Sequence, residues 1–187
     1  MGNLIGLVVL AIILLGVPLW VVSVYNRLVT LRNLVENVWA QTDVQLKRRY
    51  DLIPNLVEIV KGYAAHEQQT FEKVTQARSA AMNAVTPQTR AQAENALTGA
   101  LKSVFAIAEA YPELKANQNF TSLQEELTNT EGFIAECRSQ YNDSVLAYNN
   151  ALQIFPANTV AGFFKLQPIE FFGVPQQAER EAAKVQF

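Results

Sequence analysis

The residues of this 187-residue chain whose types could do chemistry are few: one histidine, His66; one cysteine, Cys137; the carboxylate pairs Glu109/Glu113 and Glu125/Glu126; and the run Lys47-Arg48-Arg49. A metal site needs several His, Cys, Asp or Glu ligands at matched spacing, and His66 has only Glu67 beside it, on a different helix face. It reads as a solvated or capping histidine. Cys137 lies on an apolar stripe between Ile134 and Tyr141, the ordinary place for a small buried thiol, and a thiol nucleophile would need a base close by. Nothing sets either carboxylate pair across a cleft, so both read as helix surface. Gly99, Gly132 and Gly162 are isolated and form no phosphate loop. No catalytic residue, metal or cofactor is expected from these patterns.

The basic run could meet phosphate, yet 15 Lys+Arg against 17 Asp+Glu, net charge -2, lack the basic excess of a nucleic-acid binder. Lys47, Arg48 and Arg49 are read instead as contacts to anionic lipid, to acids of the same domain, or to a neighbouring subunit. One cysteine also excludes an intramolecular disulfide framework, so packing must hold the fold.

Stepping along the chain, Leu4 to Val24 ("LIGLVVLAIILLGVPLWVVSV") runs for about 21 residues without a charge, enough at ~1.5 Å per residue to cross a hydrocarbon layer of ~30 Å. A cleaved signal peptide would carry basic residues before the apolar run and small ones at its end; here nothing basic precedes Leu4, and Trp20, Val21 and Val22 are bulky. A retained anchor is expected, with Trp20, Tyr25 and Arg27 at the membrane interface. "MGNLIG" lacks the hydroxyl residue of a myristoylation signal, and Gly2 with Gly6 lie too near the end to count as a helix-pairing motif. Cations follow the run (Arg27, Arg32, then Lys47 to Arg49) and none precedes it, which places the rest of the chain in the cytoplasm by the positive-inside rule.

Beyond the span, apolar residues recur at three- and four-residue steps: Val24, Leu28, Leu31, Val35, Val38, Leu46, Ile53, Val57, Val60. Thr86-Pro87 has the form of a helix start, Tyr111-Pro112 and Phe155-Pro156 the form of stops. No alternating strand pattern appears, so the fold class is all-α. Pro54, inside "KRRYDLIPNLVEIV", is the exception in the pattern. It marks either a kink or a reversal near Tyr50, with Asp51 capping a new helix. A reversal would give comparable rods over 26–49, 52–82, 87–111 and 119–155, which suits an up-down four-helix bundle. That arrangement is preferred over one helix of ~85 Å.

Three parts are therefore expected: an anchor over 1–24, a long-helix bundle over 25–156, and an aromatic-rich strap and tail over 157–187. Phe163, Phe164, Phe171 and Phe172, interleaved with Gly and Pro, must lie on the bundle, on the bilayer surface or on a partner. The last dozen residues read as a short charged helix or a disordered end. "ANQNFTSLQEELTNTE" and "YNDSVLAYNNALQ" load amides and hydroxyls onto helices, either as solvated faces or as lateral contacts between copies.

The blocks "VYNRLVTLRNLVENVWAQTDVQLKRRYDLIPNLVEIVKGYAAHE", "AEAYPELKANQNFTSLQEELTNTE" and "YNDSVLAYNNALQIFPANTVAGFF" resemble the LemA family of bacterial membrane-anchored proteins. Gly132 and Cys137 depart from the expected pattern, and the extension after Gly173 looks individual. The resemblance implies an N-terminal transmembrane helix, a short outside N-terminus, a cytoplasmic bundle of long antiparallel helices and similarity to magnetosome membrane proteins. It transfers no catalytic residue. Two functions fit: a non-enzymatic scaffold in the bacterial inner membrane that self-associates through its amide-rich faces and the tail phenylalanines Phe163, Phe164, Phe171 and Phe172, and a tethered adaptor that docks a partner such as a membrane protease.

Overall fold

The first helix of the computed structural model runs from Gly2 to Tyr63 without interruption. The structure describes residues 2–173, the side chains of 2–5, 7–9 and 11–13 excepted; the short charged helix or disordered end expected over the last dozen residues lies outside them. Helix α1 (Gly2–Tyr63) is followed by α2 (Gln68–Asn83), α3 (Pro87–Glu109), the single turn α4 (Pro112–Lys115), α5 (Gln118–Gln153) and α6 (Ala157–Phe163). Among the described residues there is no strand, so the chain is all-α.

The chain does not reverse at Tyr50. It turns at residues 64–67, and Asp51 is interior to α1 rather than a cap. Pro54 lacks the N–H that would bond the carbonyl of Tyr50, and this costs little here for two reasons. The proline lies on an exposed side of the helix, and the Arg78 guanidinium of α2 donates from Nε to the stranded Tyr50 carbonyl at 2.7 Å.

The described residues divide into two units, each with its own packing. One comprises residues 41–139 and the segment from 170 on. Its core is one apolar cluster: Leu46, Ile53, Leu56 and Val60 from α1, Phe71 and Val74 from α2, Leu97, Leu101 and Val104 from α3, and Phe120, Leu127 and Ile134 from α5. Each such side chain contributes about 1.5–3 kcal/mol by leaving water. Side-chain pairs give the topology. Asp43 with Arg90 and Arg49 with Glu94 set α1 and α3 parallel. Lys61 over the Phe71 ring and Arg78 on Tyr50 set α2 antiparallel to α1, while Arg48 with Glu126 and Tyr63 with Asn117 do the same for α5. This is an up-down-up-down four-helix bundle, with short connections.

Local chemistry fixes the starts of its helices. Thr86 caps α3: its hydroxyl accepts from the Thr89 amide at 3.2 Å, and the Thr89 hydroxyl accepts from the Thr86 amide at 3.1 Å, with Pro87 opening the first turn. The Asn117 side-chain oxygen accepts from the amides of Asn119 and Phe120 at 2.9 and 3.2 Å, which closes off the first turn of α5.

The other unit comprises residues up to 40 with 140–169. Here α1 and α5 run side by side in opposite directions: the Trp39 and Tyr141 rings meet with centroids 5.2 Å apart, and Leu28, Val35, Val38, Val145 and Tyr148 are buried. After α5 the chain folds through α6, where Val160 and Ala161 are buried, and is pinned by a paired amide contact. The Asn149 side chain donates to the Ile169 carbonyl and accepts from the Ile169 amide, both at 2.9 Å.

Candidate functional site

The run Lys47-Arg48-Arg49 is split by helix geometry. Lys47 and Arg48 are exposed, Arg48 pairing with Glu126 at 2.8 Å on the surface, where such a bond contributes at most about 1 kcal/mol. Arg49 is only 2% exposed. Its guanidinium bonds Glu94 at 2.9 Å, the Thr98 hydroxyl at 2.8 Å and Glu131 at 2.9 Å. Arg49 is therefore withdrawn as an assembly, lipid or partner contact; burial and three acceptors already occupy it.

Around Arg49 a polar cluster ties three helices together. Tyr50 donates its hydroxyl to the second oxygen of Glu94, and Thr98 donates to Glu131 at 3.1 Å. Burial raises the Glu94 carboxyl above its ordinary range, against the pull of the Tyr50 hydrogen bond and Arg49, with Glu131 adding repulsion. Burial, together with the bond to Glu94 and its charge, holds the Tyr50 phenol far above its ordinary value of 10.0. The Glu94 oxygens are taken by Arg49 and Tyr50, which suits a lock on helix register better than acid–base work. The cluster borders a groove of about 440 Å³ lined in part by Leu101, Phe105, Leu127 and Ala135. The Arg49 Nε, in that wall, has no hydrogen-bond partner.

Glu94 and Thr98, the α3 members of this polar cluster, are not among the residues that the sequence pattern singles out. A signal was available: Glu94 sits between Ala91 and Leu97 on the buried stripe of α3, where a carboxylate requires a partner.

The aromatic tail is divided as well. Phe172 is buried beneath the Arg138 guanidinium, 4.8 Å from the ring centroid, and so acts as a strap residue of its own unit rather than as a surface contact. Phe171 is half-buried. Phe164 rests on Tyr25 with ring centroids 4.4 Å apart, and Phe163 stacks edge-on against Phe164 at 5.2 Å while remaining 81% exposed. Trp20 and Arg27 are exposed on α1, as are Leu14, Leu15, Leu19 and Val22. One helix of the described residues is long and apolar enough to cross a membrane, and it is α1.

The remaining candidates stay apart. His66 is exposed in the turn after α1. Cys137 is half-buried, and burial, with the charge of Glu136, pushes its thiol up, away from the reactive thiolate. Among the described residues no three His, Cys, Asp or Glu side chains gather as a metal site. Several hydroxyls of the polar helices are spent on their own backbone: Thr121, Thr128, Thr130 and Ser144 each donate to the carbonyl four residues back.

Comparison with known proteins matches residues 38–187 to the LemA family model. Protein LemA of Metamycoplasma hominis is 27% identical over 152 residues, an overlap covering 79% of this chain and 68% of that protein. Magnetosome protein MamQ of Magnetospirillum gryphiswaldense is 25% identical over 174 residues, covering 79% of this chain and 64% of its own length. Magnetosome protein MamQ 1 of Paramagnetospirillum magneticum is 23% identical with the same coverage, 79% and 64%. The chain thus spans about two thirds of the length of these relatives. The family match takes in the four-helix bundle with its Arg49 cluster and continues through the corner between α5 and α6, and this chain belongs to the LemA family.

Proposed function

We propose that this protein is a non-enzymatic, membrane-anchored helical scaffold whose copies associate laterally to organise or shape a patch of membrane. The anchor is the apolar part of α1, uncovered from Leu14 to Val22, and the cations that follow it favour an inner-membrane protein with its bundle in the cytoplasm. The magnetosome relatives are in keeping with a membrane role.

The observation that carries self-association is an aromatic ring on a polar helix face. Phe133 is 50% exposed on α5, in a row with exposed Ser122, Glu125 and Asn129 at three- and four-residue steps. With hydroxyls such as Thr121 and Thr128 already bonded to backbone carbonyls, the exposed Asn129 amide and this ring are the groups of the row offered to a neighbour. Exposed Lys47 and Arg48 on α1 supply charged contacts at the rim of such an interface. Phe133→Ser should reduce crosslinking between copies in native membranes while leaving helicity unchanged. Undiminished self-crosslinking would remove this face from the interface.

The second reading, an adaptor, draws on the groove of about 440 Å³ beside Arg49. Its apolar wall of Leu101, Phe105, Leu127 and Ala135 suits an inserted apolar side chain of a partner such as a membrane protease. A single stoichiometric hetero-partner in crosslinked membranes, lost on Ala135→Trp, would establish it over the scaffold.

A further inference from the structure

Three residues that follow α5, two in the turn and one at the end of α6, are exposed although water is a poor environment for them: Ile154 at 62%, Phe155 at 79% and Phe163 at 81%. Their position relative to the anchor can be worked out within their own unit. Trp39 meets Tyr141, and Arg32 acts on Tyr148 seven residues further along α5. Each step back along α1 is thus matched by a step forward along α5, as expected for antiparallel helices of equal rise. The same register carries Arg27 to the level of Gln153, the last residue of α5, and Ile154 and Phe155 follow it in the turn to α6. Tyr25 follows the apolar run directly, and its ring packs against Phe164, the neighbour of Phe163.

We propose that the α5–α6 corner, residues 154–165, is a second bilayer contact, in which Ile154, Phe155 and Phe163 enter the interfacial layer of the same membrane that α1 crosses. α5 ends where the lipid begins, and the short α6 lies against the headgroup region. Exposed Lys165 and Arg27 are placed to meet anionic headgroups, and the Asn149–Ile169 amide pair with buried Val160 and Ala161 holds the corner in shape. Aromatic residues favour this layer, and an apolar patch continuous with a membrane helix has lipid as its nearest occupant.

This inference rests on α1 spanning the bilayer, so the test reads both. In full-length protein carrying Cys137→Ser, nitroxide labels are attached at Phe155→Cys and, separately, Phe163→Cys, with Leu15→Cys and Val85→Cys as references for the apolar helix and for an exposed turn. The protein is reconstituted into mixed phosphatidylcholine and phosphatidylglycerol vesicles. Collision with lipid-dissolved oxygen is compared with collision with a water-soluble nickel chelate. We expect the oxygen-to-nickel ratio at positions 155 and 163 to exceed that at 85 several-fold and to approach that at 15. A high ratio at 15 with ratios at 155 and 163 equal to that at 85 overturns the second contact alone. A low ratio at all positions overturns the span itself. Strong dipolar broadening between labels at 163, without lipid exposure, assigns the corner to a second copy and also overturns the proposal.

Discussion

Arg78 supplies to Tyr50 the hydrogen bond that Pro54 cannot: its Nε lies 2.7 Å from the Tyr50 carbonyl oxygen, the acceptor one turn before the proline. A side chain from α2 thus repairs α1 at the place where the sequence interrupts it. The relationship predicts a coupling. Arg78→Met should cost about 1–3 kcal/mol, the penalty for stranding a partly buried acceptor. In a Pro54→Ala background, where the backbone can make its own bond, the same change should cost less than about 1 kcal/mol. A double-mutant cycle of thermal unfolding in detergent measures the difference, and additivity would disprove the repair.

The Arg49 cluster predicts an asymmetry between breaking and replacing. Arg49→Met leaves Glu94 buried without its cation and should destabilise by about 3–5 kcal/mol. Arg49→Met combined with Glu94→Gln should recover a large share of that loss, because no isolated charge is left inside. Denaturant midpoints of the single and double variants check this.

Tyr50 makes the stability of the fold depend on alkaline pH. Because its phenol is held far above 10.0 in the folded state, the folded protein retains a proton that the unfolded chain releases. The sign follows: this contribution is complete below the unfolded value and falls away as pH rises above about 10. Tyr50→Phe should flatten the decline of melting temperature above that pH, while lowering stability at neutral pH by about 1.5–3 kcal/mol through loss of a bond to a charged acceptor. Tyr148, also raised by burial against the pull of Arg32, adds a slope of its own, and Tyr148→Phe separates the two.

Gly173 closes the strap over the bundle with φ of 65°, and a Cβ there would stand 2.9 Å from both the Ala91 Cβ and an Arg138 guanidinium nitrogen. Gly173→Ala should therefore cost at least about 1–2 kcal/mol from the left-handed backbone alone. It should also release Phe172 from beneath Arg138, seen as faster amide exchange over 170–173. Unchanged exchange would show that the contact does not hold the strap.

Much of the helical order was legible because it follows from local rules. Thr86-Pro87 gave the start of α3, Tyr111-Pro112 its end, and the three-and-four spacing of Leu97, Leu101 and Val104 its buried face. The place where the first long helix ends was not legible. Pro54 argued for a break, and what overrides it is Arg78, 24 positions after the proline and on another helix. The same holds for the candidate contacts. Lys47, Arg48 and Arg49 look alike in a row, yet the helical turn of about 100° per residue sends the third inward to Glu94. Phe163 and Phe172 likewise look alike, and their opposite fates depend on tertiary neighbours, Phe164 and Tyr25 in one case and Arg138 in the other. Local pattern identifies what a helix is, whereas the partner that satisfies a buried charge or covers a ring comes from distant sequence.

The central claim, lateral assembly at the membrane, is tested most directly by particle mass. Full-length protein is extracted from membranes in mild detergent, its mass is measured after subtraction of bound detergent, and the same fractions are imaged by negative stain. We predict particles of many copies, closed or extended, that shrink on Phe133→Ser without loss of helicity. Monomers of the wild-type chain across the accessible concentration range, or small particles carrying a second protein, would contradict the scaffold.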